Sequence, residues 1–449
     1  MTLPCLTEKR RQRRANDSWS LAAVVVAIAF ISGCGEKRET KTVVNFWAMG
    51  AEGERALPLI EEFEAAHPEI DVRVQQVPWN AAHEKLLTAF AGNSLPDVCQ
   101  LGNTWIAEFD ALGALTDLTD RVAASEQAGK IEPNDFFPGV WQGNVIANRV
   151  RGLPWYVDAR LLFVRTDILA RAGHADLPRT WDDWLEAMRD VQAIQPAGSY
   201  AMLAPTNEFE TPVILGMQTG ADMLREDGRY GDFSSKAFRR AFEFYVDIFR
   251  EGLAPKDSNS MISNVVQEFE RGTFAFYVTG PWNVQGFRDR LPTSLEGKWT
   301  TCPWPSPDDS WPGVAIAGGS SLVMFENSSD ERRRDASWQL LEFLAQPRQQ
   351  VRFTECTGNL PPGAKSWEES GMRNDPLFAG FYEQLQNVRP VPPAPEWEHI
   401  VTGELVKRAD AAINGRQTVD EALAELDQRV DEILEKRRWI LDRQARVQQ

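Results

Sequence analysis

The sequence predicts an α/β protein of two domains, and three observations lead there. A chain of 449 residues exceeds one ordinary core, for which roughly 150 to 200 residues is the natural size. Its 43% hydrophobic and 25% charged residues are the proportions of a globular chain able to bury such cores. Between residues 42 and 102, apolar runs of strand period alternate with runs of helical period, the pattern of a parallel sheet with helical crossovers.

Each element has its own reason. TVVNFWA (42–48) is a short apolar run that reads as a buried strand. In the helix that follows, Leu57, Ile60, Phe63 and Ala66 fall on one face, and Pro68 ends it. IDVRVQQV (70–77) alternates as the next strand, AAHEKLLTAFAGN (81–93) is a second helix stopped at Gly92-Asn93, and PDVCQLG (96–102) is a third strand. Further on, residues 151–173 give a strand pair leading into a helix. The helix of LPRTWDDWLEAMRDVQAIQ (177–195) is capped by Thr180 with Asp183 three residues on; Trp181, Trp184, Leu185, Met188 and Val191 line one face, which makes those two indoles core.

Two more amphipathic helices, 234–252 and 261–272, deliver the chain to FERGTFAFYVTGPWNVQGF (269–287). That stretch reads as a helix end, an apolar strand from Thr273 to Val278, and a turn at Gly280-Pro281 that leaves Trp282 at the lip of the strand. CPWPSPDDSWPG (302–313) is too rich in proline to continue regular structure and reads as a linker or crossover. VAIAGGSSLVMF (314–325) is a strand interrupted by two glycines, residues 329–353 form a long helix, TGNLPPGA (357–364) is a second break, and the remainder is mostly helical.

The N-terminus bears on location. KRRQRR (9–14) is cationic, and LAAVVVAIAFI (21–31) is an apolar run of secretory-signal length, too short to serve comfortably as a permanent span. Ile31-Ser32-Gly33-Cys34 then resembles the lipobox of bacterial lipoproteins. The resemblance implies a signal peptide over 1–33, a diacylglyceryl anchor on Cys34 and a polar tether over 34–41, placing the chain on the outer face of the cytoplasmic membrane, in the periplasm or at the cell surface.

Removing residues 1–33 takes away five Lys/Arg and two Asp/Glu, leaving 43 basic against 63 acidic residues and a net charge of −20. Such a surface repels phosphate backbones, so nucleic acid is excluded as a partner. Besides Cys34 the mature chain keeps Cys99, Cys302 and Cys356, which allows at most one internal disulfide; Cys302 with Cys356 is the pair to test. Tryptophan is in surplus, 16 against six tyrosines, more than core filling asks for, so some of these rings are candidates to serve a ligand.

Catalytic and metal signatures are missing. Of the four histidines, His67 precedes a proline and His83-Glu84 lacks the second histidine of a zinc helix; His174 and His399 stand alone. No G-x-S-x-G elbow, C-x-x-C or phosphate loop occurs, and AGGSS (317–321) lacks the lysine and helix start of a phosphate cradle. The sequence therefore calls for no cofactor, no metal and no catalytic residue. The enzyme alternative is a carbohydrate-active hydrolase or lyase built on two of the plentiful carboxylates.

Five stretches, in order, resemble the extracellular solute-binding proteins of bacterial ABC importers, the group that includes maltodextrin-binding proteins. They are PDVCQLGNTWIAEFDALGALTDLTD (96–120), GLPWYVDARLLFVRTDIL (152–169), LPRTWDDW (177–184), FERGTFAFYVTGPWN (269–283) and IAGGSSLVMF (316–325) with its helix and GNLPP (358–362). Val157-Asp158 and Val164-Arg165 stand where a Tyr-Asn pair is often seen, and Phe276 where Met is common. The resemblance implies a type II-like fold of two discontinuous α/β lobes joined by a hinge, with the ligand cleft between them. It places lobe 1 at 42–153 plus 313–357 and lobe 2 at 154–302 plus 363–449, with crossings near Leu153-Pro154, over 303–312 and over 358–362.

In that family the indole after G-x-W projects into the cleft, so Trp282 would be a platform for the C–H face of a pyranose while carboxylates and amides bond its hydroxyl edge. Trp47, Asn103 and Trp105 are expected at strand C-terminal ends, where open α/β sheets bind ligands. Trp155 and Tyr156 lie beside the expected hinge with Asp158 as the nearest carboxylate. Asn207, Glu208 and Phe209 occupy a place where the family offers an acid and an aromatic, and Gly318-Gly319 would let backbone N–H groups approach a ligand. The implied partners are a mono- to oligosaccharide, the permease subunits of the importer and the membrane through the Cys34 lipid; the implied state is monomeric, and a sensor subunit is the further alternative.

Overall fold

Burial alternates along the first strand, putting Val44, Phe46 and Ala48 on one side of a sheet and Met49 on the other, so the strand is covered on both faces. The computed structural model describes residues 41–447 except 259, 260, 262 and 328. Nine strands carry the two larger sheets: β1 Thr42–Met49, β2 Ile70–Val77, β3 Val98–Gly102, β4 Leu153–Asp158, β5 Leu161–Val164, β6 Met202–Leu203, β7 Phe276–Thr279, β8 Thr300–Cys302 and β9 Gly318–Met324.

In lobe 1 the strand order is β2-β1-β3-β9-β4. β1 pairs in parallel with β2 and β3, with the helices Leu57–Ala66 and Trp79–Ala91 as crossovers, while β9 returns antiparallel between β3 and β4. Leu59, Ile60 and Phe63 form the buried face of the first crossover helix, whereas Leu57, at its first position, turns to solvent. In lobe 2 the order is β8-β5-β7-β6, with β7 antiparallel to β5 and parallel to β6. Thr180 caps the helix Trp181–Ile194 in a full capping box with Asp183, and Trp181 and Trp184 are buried as the spacing requires. The expected long helix over 329–353 is two helices, Glu331–Leu344 and Pro347–Thr357, because Pro347 has no N–H to continue the first and instead starts the second.

Sheet membership moves two of the expected crossings. Leu153–Asp158 pairs with β9 in the lobe 1 sheet, so the chain does not cross at Leu153-Pro154 but at Ala159-Arg160, on its way into β5. Pro154 is tolerated within β4 because β4 is the edge strand, where a missing donor costs little. The proline-rich 303–312 does not cross either: Trp304 is fully buried in the lobe 2 core, its N–H donates to Gln384 Oε1 at 2.9 Å, and Ser306 accepts from the Trp181 N–H at 2.8 Å. Proline removes a backbone donor from a ladder, but it does not prevent an anchor from holding the segment in place. The second crossing falls at Ala317, between a short strand Ala315–Ile316 on the lobe 2 core and β9. The third lies over 360–363, where Leu360 O accepts from Val157 N and Pro362 O from Phe137 N.

Five tryptophans, Trp155, Trp184, Trp304, Trp367 and Trp397, are fully buried, which accounts for much of the surplus. Cys302 is buried in lobe 2 while Cys356 lies on the lobe 1 helix Pro347–Thr357; both are free thiols, as is Cys99, so no disulfide joins the pair singled out for testing. Among the described residues, no helix is long and apolar enough to cross a membrane. The signal peptide, Cys34 and nearly all of the tether lie outside the described residues.

Candidate functional site

All four residues of β7 are buried, and the strand stops where Gly280-Pro281 turns the chain into the helix Trp282–Arg290. The glycine is demanded by the indole: a Cβ on Gly280 would stand 2.1 Å from Trp282 Cζ3 and 2.3 Å from its Cη2. The benzo ring thus lies directly against bare backbone. Asn283 Nδ2 donates to Thr279 Oγ1 at 2.8 Å and closes the turn. Trp282 remains 48% exposed, and the Arg160 guanidinium lies 4.9 Å from its ring centroid.

Arg160 stands in the first crossing and gathers charge from both sides of it. Its Nη2 donates to Glu208 Oε2 at 2.8 Å and to Glu210 Oε1 at 2.6 Å, while its backbone carbonyl accepts from Trp304 Nε1 at 2.5 Å. The half-buried Asp158, at the end of β4, also feels this guanidinium, yet burial dominates and, with Glu210 and Glu52 adding to it, pushes its carboxyl up to about 6. Burial likewise raises Glu208 above the usual carboxylate range, against the pull of Arg160. One guanidinium therefore serves three crowded carboxylates, an arrangement suited to holding hydroxyl groups by charge-assisted hydrogen bonds.

On another side of the cleft the lobes meet through polar contacts. Thr104 Oγ1 of lobe 1 donates to Glu398 Oε2 of lobe 2 at 3.1 Å, and the Trp105 side chain bonds the same carboxylate. Burial raises Glu398, and these two bonds and His83 oppose the rise. His83 is itself bonded to Glu108 at 2.6 Å, which raises the imidazole despite its burial. Asn103 ties this loop to β9: Nδ2 donates to Gly318 O at 2.9 Å and Oδ1 accepts from Ser321 Oγ at 2.8 Å. Next to Trp282 a cavity of about 980 Å³ opens between Ala51, Glu52 and 354–359 of lobe 1 and 281–288 and 370–378 of lobe 2. That is ample for a small solute.

Of the residues expected from the sequence, the structure brings Trp282, Asp158 and Glu208 to the crossing, with Asn103 and Trp105 on the facing loop; Asn207 is exposed beside Glu208. Others are corrected. Trp155 is fully buried, stacked on Phe353 at 4.2 Å, because β4 belongs to lobe 1 and turns this ring into that core. Tyr156 is buried too, its hydroxyl accepting from Gln100 Nε2 at 3.4 Å and Ser320 Oγ at 3.2 Å, and burial pushes the phenol well above its usual range. Trp47 lies within β1, not at its exit, half-buried beneath the Lys85 ammonium at 4.5 Å. Phe209 packs on the lobe 2 core.

Gly318 and Gly319 make room for β4: a Cβ on Gly318 would meet Asp158 Oδ1 at 2.1 Å, and one on Gly319, whose φ is +99°, would meet Tyr156 O at 2.4 Å. Sequence reasoning missed Arg160, Glu210, Glu398 and Glu52. Arg160 had a usable signal, standing two residues beyond Asp158 in the Asp-Ala-Arg link between two apolar strands. Among the described residues no cluster of three or more His, Cys, Asp or Glu side chains is arranged to hold a metal ion.

Residues 50–351 match the family of bacterial extracellular solute-binding proteins. The chain belongs to that family. Among solved structures, the sugar-binding protein MalE from Xanthomonas citri superposes with a TM-score of 0.84 at 46% identity, over 89% of this chain and 99% of that one. A putative binding protein of Brucella abortus is 26% identical over 423 residues, 92% of this chain and 96% of its own length. The diacetylchitobiose-binding protein DasA of Streptomyces coelicolor is 22% identical over 68% of each chain. All three are named as binding proteins, and the solved relative shares the two-lobed fold described above.

Proposed function

We propose that this chain captures a carbohydrate between its lobes and presents it to the permease of an ABC importer, held at the membrane by a lipid on Cys34. The observation that carries the reading is the half-exposed Trp282 indole at the lip of β7, with carboxylates beside it and a cavity in front of it. A pyranose offers a C–H face to such a ring and hydroxyls to such a rim, and burying the face contributes about 25 cal/mol per Å² of apolar area. The sugar binding named for the Xanthomonas relative and the diacetylchitobiose binding named for the Streptomyces one support the same ligand class. A ligand that touches both lobes favours the closed arrangement by its differential affinity for it, which is all that hinge closure requires.

The test is a tryptophan-fluorescence screen of the mature protein over neutral mono-, di- and oligosaccharides and polyols. A saturable change with one class is expected, and Trp282→Ala should lower that affinity at least tenfold, about 1.4 kcal/mol. Oligosaccharides incubated with the protein should be recovered intact, whereas released product would favour the hydrolytic alternative. A dissociation constant unmoved by Trp282→Ala would remove the indole from the site.

A further inference from the structure

The position of Arg160 calls for a role of its own. It occupies the two-residue link between β4 of lobe 1 and β5 of lobe 2, so its backbone belongs to the hinge. Its side chain nevertheless reaches the ligand platform. A guanidinium is a flat plate with donors only in its plane and two faces free for stacking. Here one in-plane nitrogen, Nη2, is held by Glu208 at 2.8 Å and Glu210 at 2.6 Å, while the group lies 4.9 Å from the Trp282 ring centroid. Gly280 receives the benzo edge of the same indole. The ring is thereby held by bare backbone and by a guanidinium whose own orientation two carboxylates determine.

The backbone of Arg160 is fixed as well, since its carbonyl accepts from the buried Trp304 of lobe 2. The Nε of Arg160 is buried without a hydrogen-bond partner in the described structure, so its pose does not simply maximise its own bonding. A half-exposed tryptophan left alone would sample several rotamers and lose that freedom on binding.

We propose that Arg160 is the positioning residue of the cleft: seated in the crossing between lobes, it sets the plane of the Trp282 indole relative to the hinge. The ligand then meets a platform already in register with the lobe that closes over it. The inference rests on Trp282 being a ligand platform, and the experiment separates the two ideas.

The experiment is a double-mutant cycle on ligand affinity, using the tightest sugar from the screen, with wild type, Arg160→Lys, Trp282→Ala and the double variant. Lysine keeps the charge for Glu208 and Glu210 but cannot lie flat on the ring. Arg160→Lys should weaken binding about tenfold, or 1.4 kcal/mol, in the wild-type background and less than twofold once Trp282 is gone. An equal loss in both backgrounds, or no loss in either, overturns the positioning role even where Trp282→Ala alone weakens binding. A silent Trp282→Ala overturns the platform and this inference with it. Should Arg160→Lys fail to fold, Arg160→Gln, with Glu208 and Glu210 left in place, completes the same cycle. As a readout that general loosening would not share, the difference in unliganded emission between each protein and its Trp282→Ala counterpart should show a red-shifted Trp282 when Arg160 is replaced.

Discussion

Replacing Asp158 by asparagine should stabilise the protein in neutral solution and do nothing in acid. Its carboxyl is held at about 6 against an ordinary 3.8, chiefly because folding removes it from water, with Glu210 and Glu52 adding repulsion that Arg160 offsets only in part. That rise corresponds to about 3 kcal/mol at 1.36 kcal/mol per pH unit. Because the folded state holds the proton more tightly, folding is favoured while the group stays protonated, and stability falls as pH rises from about 4 through about 6. Above that the ionised carboxylate strains the fold by its full amount. Solvent at this half-buried side chain screens part of the effect, leaving roughly 1 to 3 kcal/mol at pH 8. For some 400 residues losing roughly 2.1 cal/mol/K each, this amounts to roughly 1 to 4 °C in Tm. Thermal unfolding of wild type and Asp158→Asn at intervals from pH 4 to pH 8 is the assay. The two Tm curves should meet near pH 4 and diverge through pH 6 with the variant higher; parallel curves across that range would refute the account of burial and crowding at the crossing.

Four further outcomes follow from the same geometry. Trp155→Ala should cost about 3 to 5 kcal/mol in urea unfolding, as a buried ring leaving a cavity, while Trp282→Ala stays within about 0.5 kcal/mol of wild type. Gly319→Ala should destabilise by at least about 1 kcal/mol, since its φ of +99° and the 2.4 Å approach of a Cβ to Tyr156 O leave no relaxed alternative. Thr104→Val removes the bond to Glu398 across the lobes and should expand the unliganded protein in small-angle scattering while weakening ligand binding by no more than about 1.5 kcal/mol; unchanged scattering would show that this bond does not hold the lobes. Dithiothreitol should leave Tm unmoved, because the described cysteines are free thiols.

Much of the lobe 1 sheet could be read directly. The pattern of residues 42–102 predicted three strands and two helices, and β2 spans the residues its alternation indicated. Thr180 and Asp183 predicted their capping box because a cap is local: it involves four consecutive residues and one turn of backbone. Trp282 was legible for a related reason, since a strand that ends on Gly-Pro must hand its next large side chain to the lip. Trp155 and Trp47 were not. Both are indoles in apolar strands, and nothing within a strand tells which neighbouring element covers each face; Phe353, some 200 residues away, buries the first, and Lys85 shields the second.

The sequence by itself determined the periodicities, the caps, the family and the turn that raises an indole from a strand, because all of these reside in short stretches and their order. Tertiary structure alone decided where the chain changes lobes and which carboxylates meet. Proline marked places where ladders fail, yet Pro154 sits in an edge strand and 303–312 is anchored by Trp304, while the crossing passes through Ala159-Arg160, which contains no proline. Arg160, Glu210 and Glu398 gain their partners at the candidate site only when distant segments converge, since a charge acquires its energy from neighbours brought near by folding and not from its place in the chain.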